Sequence, residues 1–230
     1  MFRGLRSFMT MVFTPLARLL LALRISPDAV TVAGTVVVTT VALALFPTGH
    51  TLVGGLLVGF FVLFDSLDGV MARMSGRSGP WGAFLDSTLD RVSDGAVFAG
   101  ITLWFVLHPD EHHGMWGIAV ALACLVLGSV VPYARARGES VGATVQVGIA
   151  ERADRLVLAL VPFTFLQVGL PVVVLEVVLT LLALASLVTV VQRMAAVRAQ
   201  LTRRAAEPPG APRDDPREGP REGPLAGQGA

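Results

Sequence analysis

Four carboxylates lie in stretches that are otherwise apolar, in the run Asp65-Ser-Leu-Asp68-Gly69 through Ala72-Arg73 to Gly82-Ala-Phe-Leu-Asp86 and Asp90. Asp65 and Asp68 are three apart, and Asp86 and Asp90 are four apart, so each pair shares one face of a helix. Gly69, Ala72 and Arg73 carry the first face on by another turn. The glycine-rich connection between residues 75 and 82 folds the second helix back on the first. Asp65 falls roughly 14 Å from the end of its helix, and Asp86 and Asp90 roughly 6 to 12 Å into the next, at 1.5 Å per residue. All four can therefore meet at one depth.

An intramembrane carboxylate costs on the order of 2.5–3.5 kcal/mol even on a lenient insertion scale, and four together repel. A bound cation relieves both penalties. Oxygen donors with no histidine or cysteine among them favour Mg²⁺, Mn²⁺ or Ca²⁺ over zinc. Four acidic ligands can hold two such ions, an arrangement that stabilises phosphoryl-type transfer. Gly69 and Ala72 allow a ligand close to the backbone, and Arg73 can pair with a phosphate. Two other readings compete: aspartates paired with Arg73, Arg77 and Arg91 as helix glue, and an ion path in a cation transporter. Clustering near one face disfavours the transporter.

The elements that position these residues follow from composition. The 230-residue chain is 53% hydrophobic and 15% charged, against about 25% charged in a soluble domain. All its basic residues are arginine, and a net charge of +1 gives no field to recruit nucleic acid. Apolar stretches of spanning length, roughly 20 residues, run near 29–48, 51–74, 82–107, 115–137, 152–168 and 170–193. Residues 1–25, with Arg3, Arg6, Arg18 and Arg24 spaced among Phe and Leu, read as an amphipathic helix lying in the interface. The expectation is an all-α integral membrane protein: six transmembrane helices in residues 26–200 after the interfacial helix. The tail from 201 to 230, with its repeated Pro-Arg-Glu-Gly, is expected to be disordered and cytoplasmic. Cys124, the single cysteine, reads as a small buried hydrophobe.

Arginine placement orients the spans. The connections near residues 46–52, 108–116 and 167–171 carry none, whereas Arg73 and Arg77, then Arg135, Arg137, Arg152 and Arg155, then Arg193 to Arg204 flank the others. Both termini and the aspartate cluster are thus expected on the cytoplasmic side of the cell membrane. His50, His108, His112 and His113 fall on the opposite side. Arg135, Arg152, Arg155 and Arg193 stand at cytoplasmic helix ends, where their forks could converge on a phosphate monoester. The positive-inside rule alone would also put arginine there.

Asp65-x2-Asp68-Gly69-x2-Ala72-Arg73-x8-Gly82-x3-Asp86-x3-Asp90 resembles the full signature of the CDP-alcohol phosphotransferases, and the six-span layout extends the likeness over most of residues 1–200. The resemblance implies a homodimer in membrane lipid that binds two Mg²⁺ per protomer, with Mn²⁺ as an alternative. It implies transfer of a phosphoalcohol from a CDP-linked donor with release of CMP. Asp65, Asp68, Asp86 and Asp90 would be metal ligands, with Asp90 also the proton acceptor. Asp28, Ala29, Val30 and Thr31, Gly69, Ala72 and Arg73, and Ser78 and Gly79 would contact CDP-diacylglycerol. The context after Gly82, with Tyr133-Ala-Arg-Ala-Arg137 and Glu151-Arg-Ala-Asp-Arg155, is similar to the actinobacterial branch that uses inositol phosphate as acceptor. In that branch Arg135, Arg152 or Arg155, and Arg193 would hold the acceptor phosphate. Glycerol 3-phosphate is the alternative acceptor. Asp94, one turn past Asp90, fits either a polar contact near the site or a partner for Arg91.

Overall fold

The computed structural model describes residues 3–64, 66–76, 79–111, 114–145, 147–148 and 152–206. The predicted site residues Asp65 and Ser78, and His112 and His113, lie outside them, as does the chain after residue 206. Eight α-helices follow in order: α1 Arg3–Ala22, α2 Pro27–Leu45, α3 Thr51–Phe64, α4 Ser66–Met74, α5 Pro80–Leu107, α6 Trp116–Ser140, α7 Arg152–Phe165 and α8 Val172–Ala206. Short 3₁₀ turns at Pro109–Glu111 and Leu166–Val168 complete the described elements.

Local chemistry sets the helix ends nearest the aspartates. Arg24 holds a left-handed backbone, φ 59°. The Ile25 amide reaches back to the Leu20 carbonyl and the Arg24 amide to that of Leu21, both at 3.0 Å, closing α1 as a Schellman turn. The chain re-enters helix at once. Ser26 caps α2 by accepting from the Ala29 amide at 3.2 Å, with Pro27 in the first turn and Asp28 beside the positive end of the dipole. Gly79 precedes Pro80 in the same way at α5. Two helix N-termini are therefore delivered beside α4.

The larger core joins α2, α3, α5, α6, α7 and α8 through Val38, Phe46, Val58, Val97, Trp104, Phe105, Val120, Phe163, Leu175 and Leu179. A Cβ on Gly100 would sit 2.5 Å from the Ala42 carbonyl, so α2 and α5 touch through backbone there. A smaller core holds Phe13 and Ala17 of α1 against Leu67, Val70 and Met71 of α4. This contact takes up the apolar face of α4 and leaves its other face, with Asp68, Gly69, Ala72 and Arg73, for a cavity. Cys124 is buried, its thiol donating to the Leu179 carbonyl at 3.3 Å.

Large apolar side chains face outward on most of these helices, among them Val36, Leu56, Phe60, Val126, Leu158, Val177 and Leu184. Buried Thr102, Thr164 and Thr189 return their hydroxyls to carbonyls one turn back, and buried Thr51 donates across to the Thr164 carbonyl. Apolar outside and self-satisfied polar inside is the pattern of a lipid-facing bundle. Among the described residues, four stretches are long and apolar enough to cross a membrane: α2, the α3–α4 stretch Thr51–Met74, α6 and α8. The other two expected spans differ for plain reasons. In α5, Asp86, Asp90, Arg91 and Asp94 load the first half with charge, and α7 has 14 residues. Helix α8 runs on to Ala206, past the expected boundary at residue 200. The Gln200 amide clamps that extension to the α6–α7 connection, accepting from the Thr144 amide and donating to its carbonyl, both at 2.8 Å.

Candidate active site

Three cavities lie in a row, with Asp68 shared by the first and second and Arg152 by the second and third. The first, about 240 Å³, lies between the N-termini of α2 and α5 and the polar face of α4. It gathers Asp28, Thr31, Gly69, Ala72, Arg73 and Gly79 of the predicted nucleotide contacts with Asp68 and Asp86 of the predicted metal ligands. Its small residues leave room: a Cβ on Gly79 or Gly82 would meet nothing within 4 Å, and one on Gly69 would meet only Arg73, at 3.5 Å. Asp68 accepts from the Thr31 hydroxyl and from the Gly69 amide, each at 2.5 Å. At the mouth, the Trp81 indole donates to Asp28 at 3.0 Å, tying α5 to α2. Neither the Trp81 nor the Thr31 contact was legible in sequence, because each joins groups from separate helix ends.

The second cavity, about 320 Å³, is apolar. Ala29, Val30, Val38, Phe61 and Phe64 line it, and it ends at Thr31, Asp68, Ser93 and Arg152. Ala29 and Val30 thus face this space rather than the first. Thr31 and Asp68 form the wall common to both.

The third cavity, about 470 Å³, brings together Arg135, Arg152, Arg155 and Arg193 from three helices, with Arg91 of α5. Arg193 is pinned by two backbone carbonyls, Val147 at 3.0 Å and Val131 at 2.5 Å. Arg155 is 5% exposed, and its buried Nη1 has no hydrogen-bond partner among the described residues. Arg135 is half-exposed and pairs with Glu139 at 2.9 Å. Arg152 turns away from these three: Nη1 lies 2.8 Å from Asp90 and Nε 3.0 Å from Asp94. Arg91 reaches both carboxylates, at 3.6 and 3.9 Å. Both arginines of the Glu-Arg-x-x-Arg stretch therefore line the cavity, in different roles, and Asp94 is a buried anchor for two guanidiniums.

Among the described residues, no three histidine, cysteine or acidic groups gather closely enough to hold an ion. Asp68 and Asp86 share the first cavity while Asp90 engages Arg152. The donors are all carboxylate oxygens, so the set suits a hard divalent ion.

Residues 24–191 match the profile of the CDP-alcohol phosphatidyltransferase family. The phosphatidylinositol phosphate synthase of Streptomyces avermitilis is 46% identical over 199 residues, 84% of this chain and 80% of that protein. That of Corynebacterium glutamicum is 40% identical over 183 residues, 80% of this chain and 82% of the relative. The crystal structure of the Mycobacterium tuberculosis phosphatidylinositol phosphate synthase with CDP-DAG bound superposes with a TM-score of 0.76 at 41% identity, covering 81% of this chain and 94% of that one. Its complex with manganese and citrate also gives 0.76, at 42% identity, over 80% and 88%. The chain belongs to the CDP-alcohol phosphatidyltransferase family.

Proposed function

We propose that this protein transfers the phosphatidyl group of CDP-diacylglycerol to 1D-myo-inositol 3-phosphate, giving phosphatidylinositol phosphate and CMP. The observation that carries the choice of acceptor is the arginine cavity, joined to Asp90 through Arg152, with a buried Arg155 nitrogen that has no partner among the described residues and a backbone-pinned Arg193. Planar guanidiniums in a part-buried site suit a phosphate monoester. The cytidine diphosphate occupies the first cavity, against Gly69 and Ala72 and beside Arg73, with Asp28, Thr31, Ser78 and Gly79 around it. The acyl chains leave through the apolar cavity past Ala29 and Val30.

Asp65, Asp68, Asp86 and Asp90 hold two divalent ions, Mg²⁺ or Mn²⁺. Bound there, these supply charge stabilisation on the diphosphate and lower the pKa of the acceptor hydroxyl. Thr31 and the Gly69 amide fix the Asp68 carboxylate. Asp90 accepts the proton of the acceptor hydroxyl. That oxygen bonds to the lipid-bearing phosphorus as its bond to CMP breaks. Arg155 and Arg193 hold the acceptor phosphate so that the hydroxyl faces Asp90.

The same reading sets six spans in the cell membrane, with α5 and α7 completing the set. Helix α1 lies in the interface, and the active site, both termini and the tail are cytoplasmic. The working unit is a homodimer. The arginine placement supports this orientation. The test is CMP release by the purified protein with Mg²⁺, CDP-diacylglycerol and a panel of acceptors. Release should depend on inositol phosphate. Preference for glycerol 3-phosphate would move the assignment to phosphatidylglycerophosphate synthesis, and preference for free inositol would undercut the role given to the arginines.

A further inference from the structure

The pairing of Arg152 with Asp90 falls outside the reaction just described. One of its nitrogens rests on a carboxylate assigned to metal, the other on a carboxylate assigned to nothing. Arg152 opens α7 and stands in the wall between the apolar cavity and the arginine cavity. Asp94 is 6% exposed and is held by Arg91 as well as by Arg152. It is the fixed end of the pair. Asp90, one turn nearer the first cavity, is the end that can exchange.

We infer that Arg152 is a resident counter-cation for Asp90 and couples metal binding to acceptor binding, with Asp94 as the residue that positions it. This rests on Asp90 being a metal ligand. A guanidinium and a divalent ion compete for the same carboxylate oxygen, so Arg152 weakens metal binding while the acceptor is absent. When Asp90 turns to the metal, Nη1 of Arg152 loses that carboxylate while Nε stays on Asp94. Giving up one charged partner is costly to a part-buried guanidinium. A phosphate seated against Arg155 and Arg193 supplies new acceptor oxygens. Metal therefore raises acceptor affinity, and by linkage the acceptor raises metal affinity by the same factor. The donor site is thereby readied before the second substrate is held.

The experiment is a Mn²⁺ titration of the full-length protein in detergent, followed by the EPR signal of free Mn²⁺, with and without myo-inositol 3-phosphate. In the wild type, inositol phosphate should tighten Mn²⁺ by about fivefold or more, the lower end of ordinary coupling. Arg152→Gln should bind Mn²⁺ several-fold more tightly than wild type without acceptor, and inositol phosphate should then change the affinity little. Asp94→Asn lets Arg152 close on Asp90 with both nitrogens, so Mn²⁺ binding should weaken. Asp94→Glu should restore it, and the Asp94→Asn effect should vanish in the Arg152→Gln background. An Arg152→Gln protein that binds Mn²⁺ no more tightly, or keeps the full response to inositol phosphate, overturns the inference. If instead Asp68→Asn and Asp86→Asn leave wild-type Mn²⁺ binding unchanged, the metal reading of the aspartates fails first and the coupling falls with it.

Discussion

The first cavity and the arginine cavity are built in opposite ways. The first is built mostly from short groups on rigid helices, Gly69, Ala72, Gly79, the Thr31 hydroxyl and three carboxylates, with Arg73 its one long cation. The arginine cavity is built from long cations drawn from four helices and held in place by backbone carbonyls and acids. The first gains accuracy because its groups have few rotamers to lose. The second gains charge and reach, and needs anchors to hold it still. A diphosphate common to a whole family suits the first kind of site, and an acceptor that differs between branches suits the second.

Four substitutions sharpen or break that contrast. The largest effect belongs to the carboxylate that Arg152 of the arginine cavity holds. Asp90→Asn should lower kcat by roughly 10²–10⁴, the usual worth of a positioned base, with the protein still inserting in membranes. Persistence of turnover would remove Asp90 from the chemistry. Next, Arg155→Gln should raise the acceptor KM on the order of tenfold to a hundredfold, since a hydrogen bond to a charged group is worth about 1.5–3 kcal/mol, and should leave the KM for CDP-diacylglycerol nearly unchanged. Equal effects on both substrates would mean the two cavities are one site. Ala72→Leu should do the reverse, filling the first cavity and raising the donor KM by about tenfold, a cost of roughly 1–3 kcal/mol for overpacking. The smallest change is Trp81→Phe. It removes the hydrogen bond to Asp28, worth about 1 kcal/mol, and should shift the donor KM by only a few-fold.

The contrast also explains what the sequence made legible. The first cavity is written within one run, residues 65 to 90, because two consecutive helices and the turn between them build most of it. Helical spacing alone puts Asp68, Gly69, Ala72 and Arg73 together, and the structure gathers them. The arginine cavity has no such run. Periodicity lets Arg152 and Arg155 share a face but cannot say that one turns to Asp90 and Asp94 while the other stays buried in the cavity. Asp94 could not be assigned from sequence because its value depends on a helix that begins 58 residues later. The packing of α1 on α4 was also hidden: an amphipathic pattern says that one face is covered, and here Leu67, Val70 and Met71 cover part of it. Span recognition depends on run length and charge, so α7 and the acidic half of α5 read less cleanly than α2, α6 and α8.

The length of α8 has a mechanical consequence. Its 35 residues make a rod of about 52 Å, against a hydrocarbon layer of about 30 Å. The far end thus stands clear of the lipid. The Gln200 amide ties that end to Thr144, in the same connection that supplies Val145, Val147 and Gly148 to the arginine cavity. The projecting segment is a lever arm whose load is delivered to the roof of the arginine cavity. A binder that grips Arg198 to Arg204 would pull on that roof from outside the bilayer, without entering any of the three cavities.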